Sequence, residues 1–372
     1  MSIVKVKKHD ILHAIDKASI CVKDTYIISI SNKETCEGRK FASICSSDGN
    51  TQVLACFTAE SNNPTSFIVG SELQGALKAL SEFGDEYEIE VTDSVAKISA
   101  GSATLPIQLK KEGFSIIQPQ GNPDDGYVAV LSRESFVKAA KQGSFAYGGQ
   151  GSAISVINTV ALLPYTEGDE SKLCFFSSDG RLAASSYSKT ISVNERFKKA
   201  EKKYININAP ALRAICSKIE GENITISILE KQVIIKDGND YYTIIRYENE
   251  FPAKIAELLD FAEYNYKAVL DVSMLKAALR VATLTDNNKR AAIIISNEKV
   301  IITAIAGENK AQVKAVDVEG EIDIHINSKH MEMVISEICS SELTIYGMSD
   351  LQPIYMTDGI FKGLMTPIRK TS

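Results

Sequence analysis

The sequence predicts an α+β fold of three similar tandem domains, each with two helices packed on antiparallel sheets. Three observations lead there. A helical apolar period recurs six times within 372 residues, a strand-like run precedes each copy, and paired alternating runs follow it.

The first helical series starts from Leu12, Phe136 and Leu275, after the runs Ile3-Val4-Lys5-Val6, Val128-Ala129-Val130-Leu131 and Ala268-Val269-Leu270-Asp271-Val272. A second series lies between them, on Leu73, Leu212 and Met331, after Phe67-Ile68-Val69, Tyr204-Ile205-Asn206-Ile207 and Ile322-Asp323-Ile324-His325-Ile326. Its period is the cleaner one. Leu73/Ala76/Leu77/Leu80, Leu212/Ile215/Cys216/Ile219 and Met331/Val334/Ile335/Ile338 each fill i, i+3, i+4 and i+7, so one face of each helix is buried. Ser71, Asn208 and Ser328 stand where an N-cap is wanted. Tyr87-Glu88-Ile89-Glu90-Val91 with Val95-Ala96-Lys97-Ile98, and Ile224-Thr225-Ile226-Ser227-Ile228 with Val233-Ile234-Ile235, alternate as hairpins do. One helix on one hairpin cannot bury its apolar face alone, whereas repeated neighbours can.

Domains at 1–125, 126–260 and 261–372 follow from the repeat, each within the usual range of domain size. Gln118 to Gly126 and Leu259 to Lys267 are the candidate boundaries. The chain is 44% hydrophobic and 24% charged, as ordinary globular proteins are. Only Ile3 and Val4 precede Lys5, Lys7 and Lys8, and no apolar run approaches membrane-spanning length, so a cytoplasmic location is expected. Cys21, Cys36, Cys45, Cys56, Cys174, Cys216 and Cys339 are odd in number and contain no C-x-x-C, which points to reduced thiols and to no zinc site.

Charge then separates one helix face from the rest. The fifth residue after each anchor is Lys17, Lys78, Lys141, Ser217, Arg280 or Ser336, and none is acidic. Lysine and arginine make up 41 of 372 residues, so chance would place fewer than one basic residue among these six. His13, Lys138, Arg213, Lys218 and Lys276 add to the surface, and Glu332 and Glu337 depart from it. Basic helices on a chain of net charge −6 imply concentrated positive charge, which suits a phosphate-backbone partner. Solvated helix faces are the plainer alternative.

Several segments carry a resemblance. Leu364-Met365-Thr366-Pro367-Ile368-Arg369, the turn Ser178-Asp179-Gly180-Arg181-Leu182-Ala183 and Phe251-Pro252, in this order on a triplicated pattern, resemble the bacterial DNA polymerase III beta subunit, the sliding clamp. The resemblance covers the whole chain. It implies the DNA clamp fold, and a pseudo-sixfold ring of two chains joined head to tail, with helices lining a channel for duplex DNA. Such a ring holds DNA through phosphates, independent of sequence. Lys17, Lys78, Lys138, Lys141, Arg213, Lys218, Lys276 and Arg280 match the channel helices.

The resemblance also implies a peptide pocket for DNA polymerase, the clamp loader and repair proteins, which insert short linear motifs. The matching positions are Ile157, Ser178, Gly180, Arg181, Leu182, Pro252, Asn327, His330, Leu364, Met365, Pro367, Ile368 and Arg369. Aliphatic walls, proline corners and arginines for orientation make chemical sense of them, although each aliphatic residue would serve equally in a domain core. Departures stand beside the matches: a residue, often histidine, is missing between Gly180 and Arg181, Lys289 stands where an aromatic is common, and Lys370 ends the tail motif. Leu105 and Ile107 at one end, with Thr283 and Leu284 at the other, match the homodimer interface, or else Leu105 and Ile107 close the first sheet.

Enzymatic chemistry finds no foothold. Ser178 beside Asp179, with His9, His13, His325 and His330 elsewhere, lacks a G-x-S-x-G elbow, and neither H-E-x-x-H, P-loop nor dinucleotide fingerprint is present, so no metal or cofactor is expected. The basic run from Arg196 to Lys203 joins strand patterns and reads as a solvated loop. Two hypotheses remain: a DNA-encircling processivity clamp, and a clamp-fold scaffold that binds peptides without encircling DNA stably.

Overall fold

The computed structural model describes residues 1–21, 24–35, 38–118, 122–148, 158–284, 289–296, 299–305 and 308–370. Eight α-helices lie among them: α1 (Lys8–Ala18), α2 (Glu72–Leu80), α3 (Arg133–Ser144), α4 (Glu195–Lys198), α5 (Ala209–Cys216), α6 (Ala253–Leu259), α7 (Val272–Ala282) and α8 (Ser328–Glu337). Five of the six expected helices follow directly on a strand and α2 follows after one residue, Ser71; the fold is α+β with antiparallel sheets. No helix of the described residues is long and apolar enough to cross a membrane.

The short helices α4 and α6 were not expected. α4 covers Glu195–Lys198 with Phe197 buried, so the start of the basic run is one helical turn and not loop. α6 begins where Pro252 occupies the N-cap and runs to Leu259 with Ala256 and Leu259 buried. Seven residues carry too little period to stand out beside the Phe251-Pro252 signal.

Capping differs from expectation at two helices. Asn208 Oδ1 accepts the Ala211 N–H at 2.8 Å, as foreseen. For α8 the cap is Asn327, one residue earlier than Ser328, accepting from Lys329 and His330 N–H at 3.0 and 3.4 Å. Ser71 forms no side-chain cap bond, because its backbone is already helical.

The chain folds into two compact units, Met1–Arg133 with Ser192–Phe197 and Ala214–Arg246, and Glu134–Ile191 with Lys198–Arg213 and Tyr247–Ser372. The first is built on one thirteen-stranded sheet. Within it Thr51–Ser61 pairs with Asp240–Ile245, in register Leu54 to Tyr241, so segments from the first two expected domains share a ladder. The predicted hairpins form, with Ile89 opposite Ile98 and Ile226 opposite Ile235. The second unit holds a nine-stranded and a four-stranded sheet. There Leu182–Lys189 pairs with Lys362–Met365, which joins segments of the second and third expected domains. Sheets continue across the sequence repeat, since an open strand edge is stabilised by whichever strand completes its hydrogen bonds.

The second unit's core gathers Leu275, Ala278, Leu279 and Ala282 of α7 with Met331, Val334 and Ile335 of α8 and with sheet residues such as Ile293, Ile324 and Ile345. Leu182 and Met365 belong to it as well. In α1 the buried positions are Ile11, Ala14, Ile15, Lys17 and Ala18, while Leu12 is only half-buried. The anchor of the first repeat is therefore Ile11.

Candidate functional site

Moving that anchor by one residue changes the charge pattern. Five positions after Ile11 comes Asp16, which is exposed and receives a hydrogen bond from Lys218 at 2.6 Å. Lys17 turns inward instead and retains only 6% exposure. Its Nζ donates to Asp240 Oδ2 at 2.7 Å and lies 3.1 Å from Glu220 Oε2, and His13 Nε2 meets the same Glu220 oxygen at 2.7 Å. Asp240 also accepts the Cys56 N–H at 2.7 Å. Burial opposes the charge on Lys17, but the hydrogen bonds and field of Asp240 and Glu220 outweigh it and hold the ammonium pKa above its ordinary value. Lys17 thus leaves the expected DNA-facing set, because two carboxylates already occupy its donors.

Two other basic residues are also engaged. Arg213 donates to Glu337 Oε1 at 2.6 Å and to the Lys141 carbonyl at 2.8 Å. Lys218 is held by Asp16, as above. The sequence pattern had marked Glu337 as a departure without pairing it to Arg213. Lys78, Lys276 and Arg280 are exposed, Lys138 and Lys141 half-buried, and none has an ion-pair partner among the described residues. Lys138 and Lys141 stand one turn apart on α3, as do Lys276 and Arg280 on α7.

In the second unit three distant segments converge. Ser178, Asp179, Gly180, Arg181 and Leu182 close the hairpin between Glu170–Ser178 and Leu182–Lys189. Asp179 Oδ1 accepts from Arg181 and Leu182 N–H at 2.7 and 2.6 Å, and Ser178 Oγ donates to the Leu182 carbonyl at 2.8 Å. Gly180 takes φ +85°, a conformation suited to glycine. Ser178 is therefore a turn-forming residue whose hydroxyl is committed. The same bonds close Ser47-Asp48-Gly49 and Thr357-Asp358-Gly359, with glycine φ of +91° and +98°. The turn is thus a recurrent local device, and its resemblance value is modest.

The tail is pinned beside that turn by Thr366 N–H to the Arg181 carbonyl at 2.9 Å and Ile368 N–H to the His325 carbonyl at 2.8 Å. His330 is half-buried, which depresses its pKa, with Asp179 acting upward and Arg181 downward on it. Pro252 opens α6, which packs across the strands Leu182–Lys189 and Lys362–Met365. Gly180, Arg181, Pro252 and Arg369 are exposed, and Asn327, His330, Pro367 and Ile368 half-buried.

The expected aliphatic walls are another matter. Leu182 and Met365 face each other across the ladder at 1% and 0% exposure and point into the main core, so they are packing residues. Leu364 points to the opposite face, where it packs at 7% exposure with Ala183, Leu259 and Tyr355 beneath α6. Strand alternation makes the division: neighbours 364 and 365 cannot share a face. Ile157 lies outside the described residues.

At the two expected ring contacts, Ile107 and Thr283 are buried at 4% and 3%, and Thr283 Oγ1 donates to the Leu279 carbonyl. They serve the interior. Leu105 is half-buried on the terminal strand Ala103–Gln108, and Leu284 is 78% exposed.

Sequence reasoning missed Gln142. Its Nε2 donates to the Glu337 carbonyl at 3.1 Å and Asp358 Oδ2 at 3.2 Å, and its Oε1 accepts from Ser186 Oγ at 3.0 Å. A search for charge passes over a neutral amide.

No family model matches the chain, and no curated protein matches it in sequence. Solved structures do. The chain is similar to the DNA polymerase sliding clamp from Bacillus subtilis, with TM-score 0.84 at 15% identity over 100% of both chains. It is similar to the DNA polymerase III beta subunit from Thermotoga maritima, with TM-score 0.83 at 17% identity, and to the beta chain from Streptococcus pneumoniae, with TM-score 0.83 at 15% identity, again over 100% of each chain. The chain has the sliding-clamp fold.

Proposed function

We propose that the chain is a DNA sliding clamp of three repeat domains, 1–125, 126–260 and 261–372, which encircles duplex DNA as a head-to-tail homodimer and catalyses no reaction. The observation that carries this reading is the likeness to sliding-clamp structures over 100% of both chains. Cations on α2, α3 and α7 support it, since Lys78, Lys138, Lys141, Lys276 and Arg280 have no ion-pair partner among the described residues and keep their charge available for phosphates. Convergence of Arg181, His330, Pro252 and the tail on one unit supports a peptide pocket, with Pro367 and Ile368 as its half-exposed apolar residues.

A dimer mass at micromolar concentration, with retention on closed circular DNA that linearisation releases, is the expected result. A strict monomer that never stays on circular DNA would refute it. Changing Lys78, Lys138, Lys141, Lys276 and Arg280 to glutamate should abolish retention and leave the dimer intact. Ile368→Glu should abolish binding of polymerase peptides with the fold unchanged.

The second reading is a clamp-fold scaffold that binds peptides without stable encirclement. Neutralisation of Lys17, Arg213 and Lys218 by carboxylates favours it, because it reduces the positive charge facing DNA. Dimer mass separates the two.

A further inference from the structure

A groove of about 450 Å³ lies on the face of the nine-stranded sheet that carries α6. It shares no residue with the peptide site described above. Its walls are aromatic, from Tyr165, Phe176, Tyr187 and Tyr204, and Phe176 meets Tyr204 edge-on at 5.5 Å. Ser185 and Tyr187 follow Ala183 at every second position, which puts them on the α6 side and not in the main core.

Charge in the groove is unevenly spent. Of its two carboxylates, Asp260 is ion-paired with Lys362 at 2.5 Å, whereas Glu167 accepts the neutral Tyr165 hydroxyl at 3.1 Å and keeps its charge. Lys172 sits over the Tyr187 ring at 4.9 Å, with Glu170 3.4 Å from its ammonium. Lys202 sits over the Tyr165 ring at 5.5 Å, and among the described residues no carboxylate lies within ion-pairing distance of it. Resting on a ring face removes water from one side of each ammonium while leaving donors for an incoming anion. The lining holds three lysines, Lys172, Lys202 and Lys362, against two carboxylates, Glu167 and Asp260, so its net charge is +1, and Lys172 and Lys202 carry it onto the aromatic walls.

We propose that this groove binds a short acidic peptide segment bearing an aromatic side chain, its ring lodged among the tyrosines and its carboxylates on Lys202 and Lys172. The volume suits a few side chains and lies within the range of ligand pockets. A single-stranded nucleic acid fits less well. It needs a track of cations along successive phosphates, whereas here Glu167, Glu170 and Asp260 interrupt the lysines. The site is independent of DNA encirclement, so the clamp reading can fail without affecting it.

The test is fluorescence anisotropy on the whole chain without DNA. The probe is a labelled peptide with a central phenylalanine flanked by aspartates, and a lysine-flanked peptide serves as its counterpart. Wild type should bind the acidic probe and ignore the basic one, Ile368→Glu should bind unchanged, and Lys172→Gln with Lys202→Gln should lose at least tenfold in affinity at an unaltered melting temperature. Tyr187→Ala should lose affinity as well. Absence of acidic-probe binding at millimolar protein, equal binding of both peptides, indifference to the lysine changes, or displacement by oligothymidine would each overturn the proposal.

Discussion

Lys17→Met tests whether this lysine holds the fold or touches DNA. In the wild type its ammonium and the Asp240 carboxylate are 8% and 10% exposed and 2.7 Å apart. Methionine keeps most of the side-chain volume but leaves Asp240 charged, buried and served, among the described residues, by the Cys56 N–H. Removing one partner of a buried pair costs about 3–5 kcal/mol. The surviving hydrogen bond places this case near ~3 kcal/mol, and at about 2–4 °C per kcal/mol the first unit should melt roughly 6–12 °C lower. Adding Asp240→Asn removes the stranded charge and keeps a carbonyl oxygen for Cys56, so the double variant should recover most of the loss. Alkaline titration gives a second readout. Since the folded pKa of Lys17 is raised above 10.5, its stabilisation is complete below that pH and fades as pH climbs through the folded value, a loss that Lys17→Met should not show. Scanning calorimetry of the wild type and the two variants is the assay. Wild-type stability in Lys17→Met together with impaired DNA retention would refute the reasoning and return Lys17 to the DNA-facing set.

Gly180→Ala should cost about 1–2 kcal/mol through its φ of +85° alone, since a Cβ there meets nothing within 4 Å; urea unfolding will show it, and an unchanged midpoint would argue against the turn geometry. Because burial depresses His330 below its usual 6.5, folding favours its neutral form, so stability is complete above about pH 6.5 and falls on acidification; NMR should find its titration below 6.5, and a higher value would contradict the half-buried placement. Thiol reagents at neutral pH, applied to a Cys36→Ser chain, should label exposed Cys339 first and spare Cys21 and Cys45, whose buried thiols are pushed up to about 11 and about 12; rapid labelling of either would mean the site opens. Asp179→Ala removes the acceptor for two turn amides and should lower stability by roughly 1–2 kcal/mol, read by the same urea titration.

Local pattern was enough for the elements. Periods of 3.6 and 2 report which side chains share a face, and six helices, their preceding strands and the hairpins at Ile89 and Ile226 follow from them. Order along the chain, with the tail and turn motifs, was enough for the clamp fold. Three-dimensional neighbours were not legible. A shift of one residue, from Leu12 to Ile11, decides whether Lys17 faces water or Asp240, and that partner lies 223 positions away. Leu182, Met365, Ile107 and Thr283 show the same limit, because an apolar residue suits a pocket, an interface or a core equally well until packing chooses. The sequence by itself determined which faces are apolar and where chain direction changes, since both depend on near neighbours. Only the tertiary structure decided which charges are spent on one another and which remain for a partner, since Coulomb energy depends on distance and burial that no local pattern encodes.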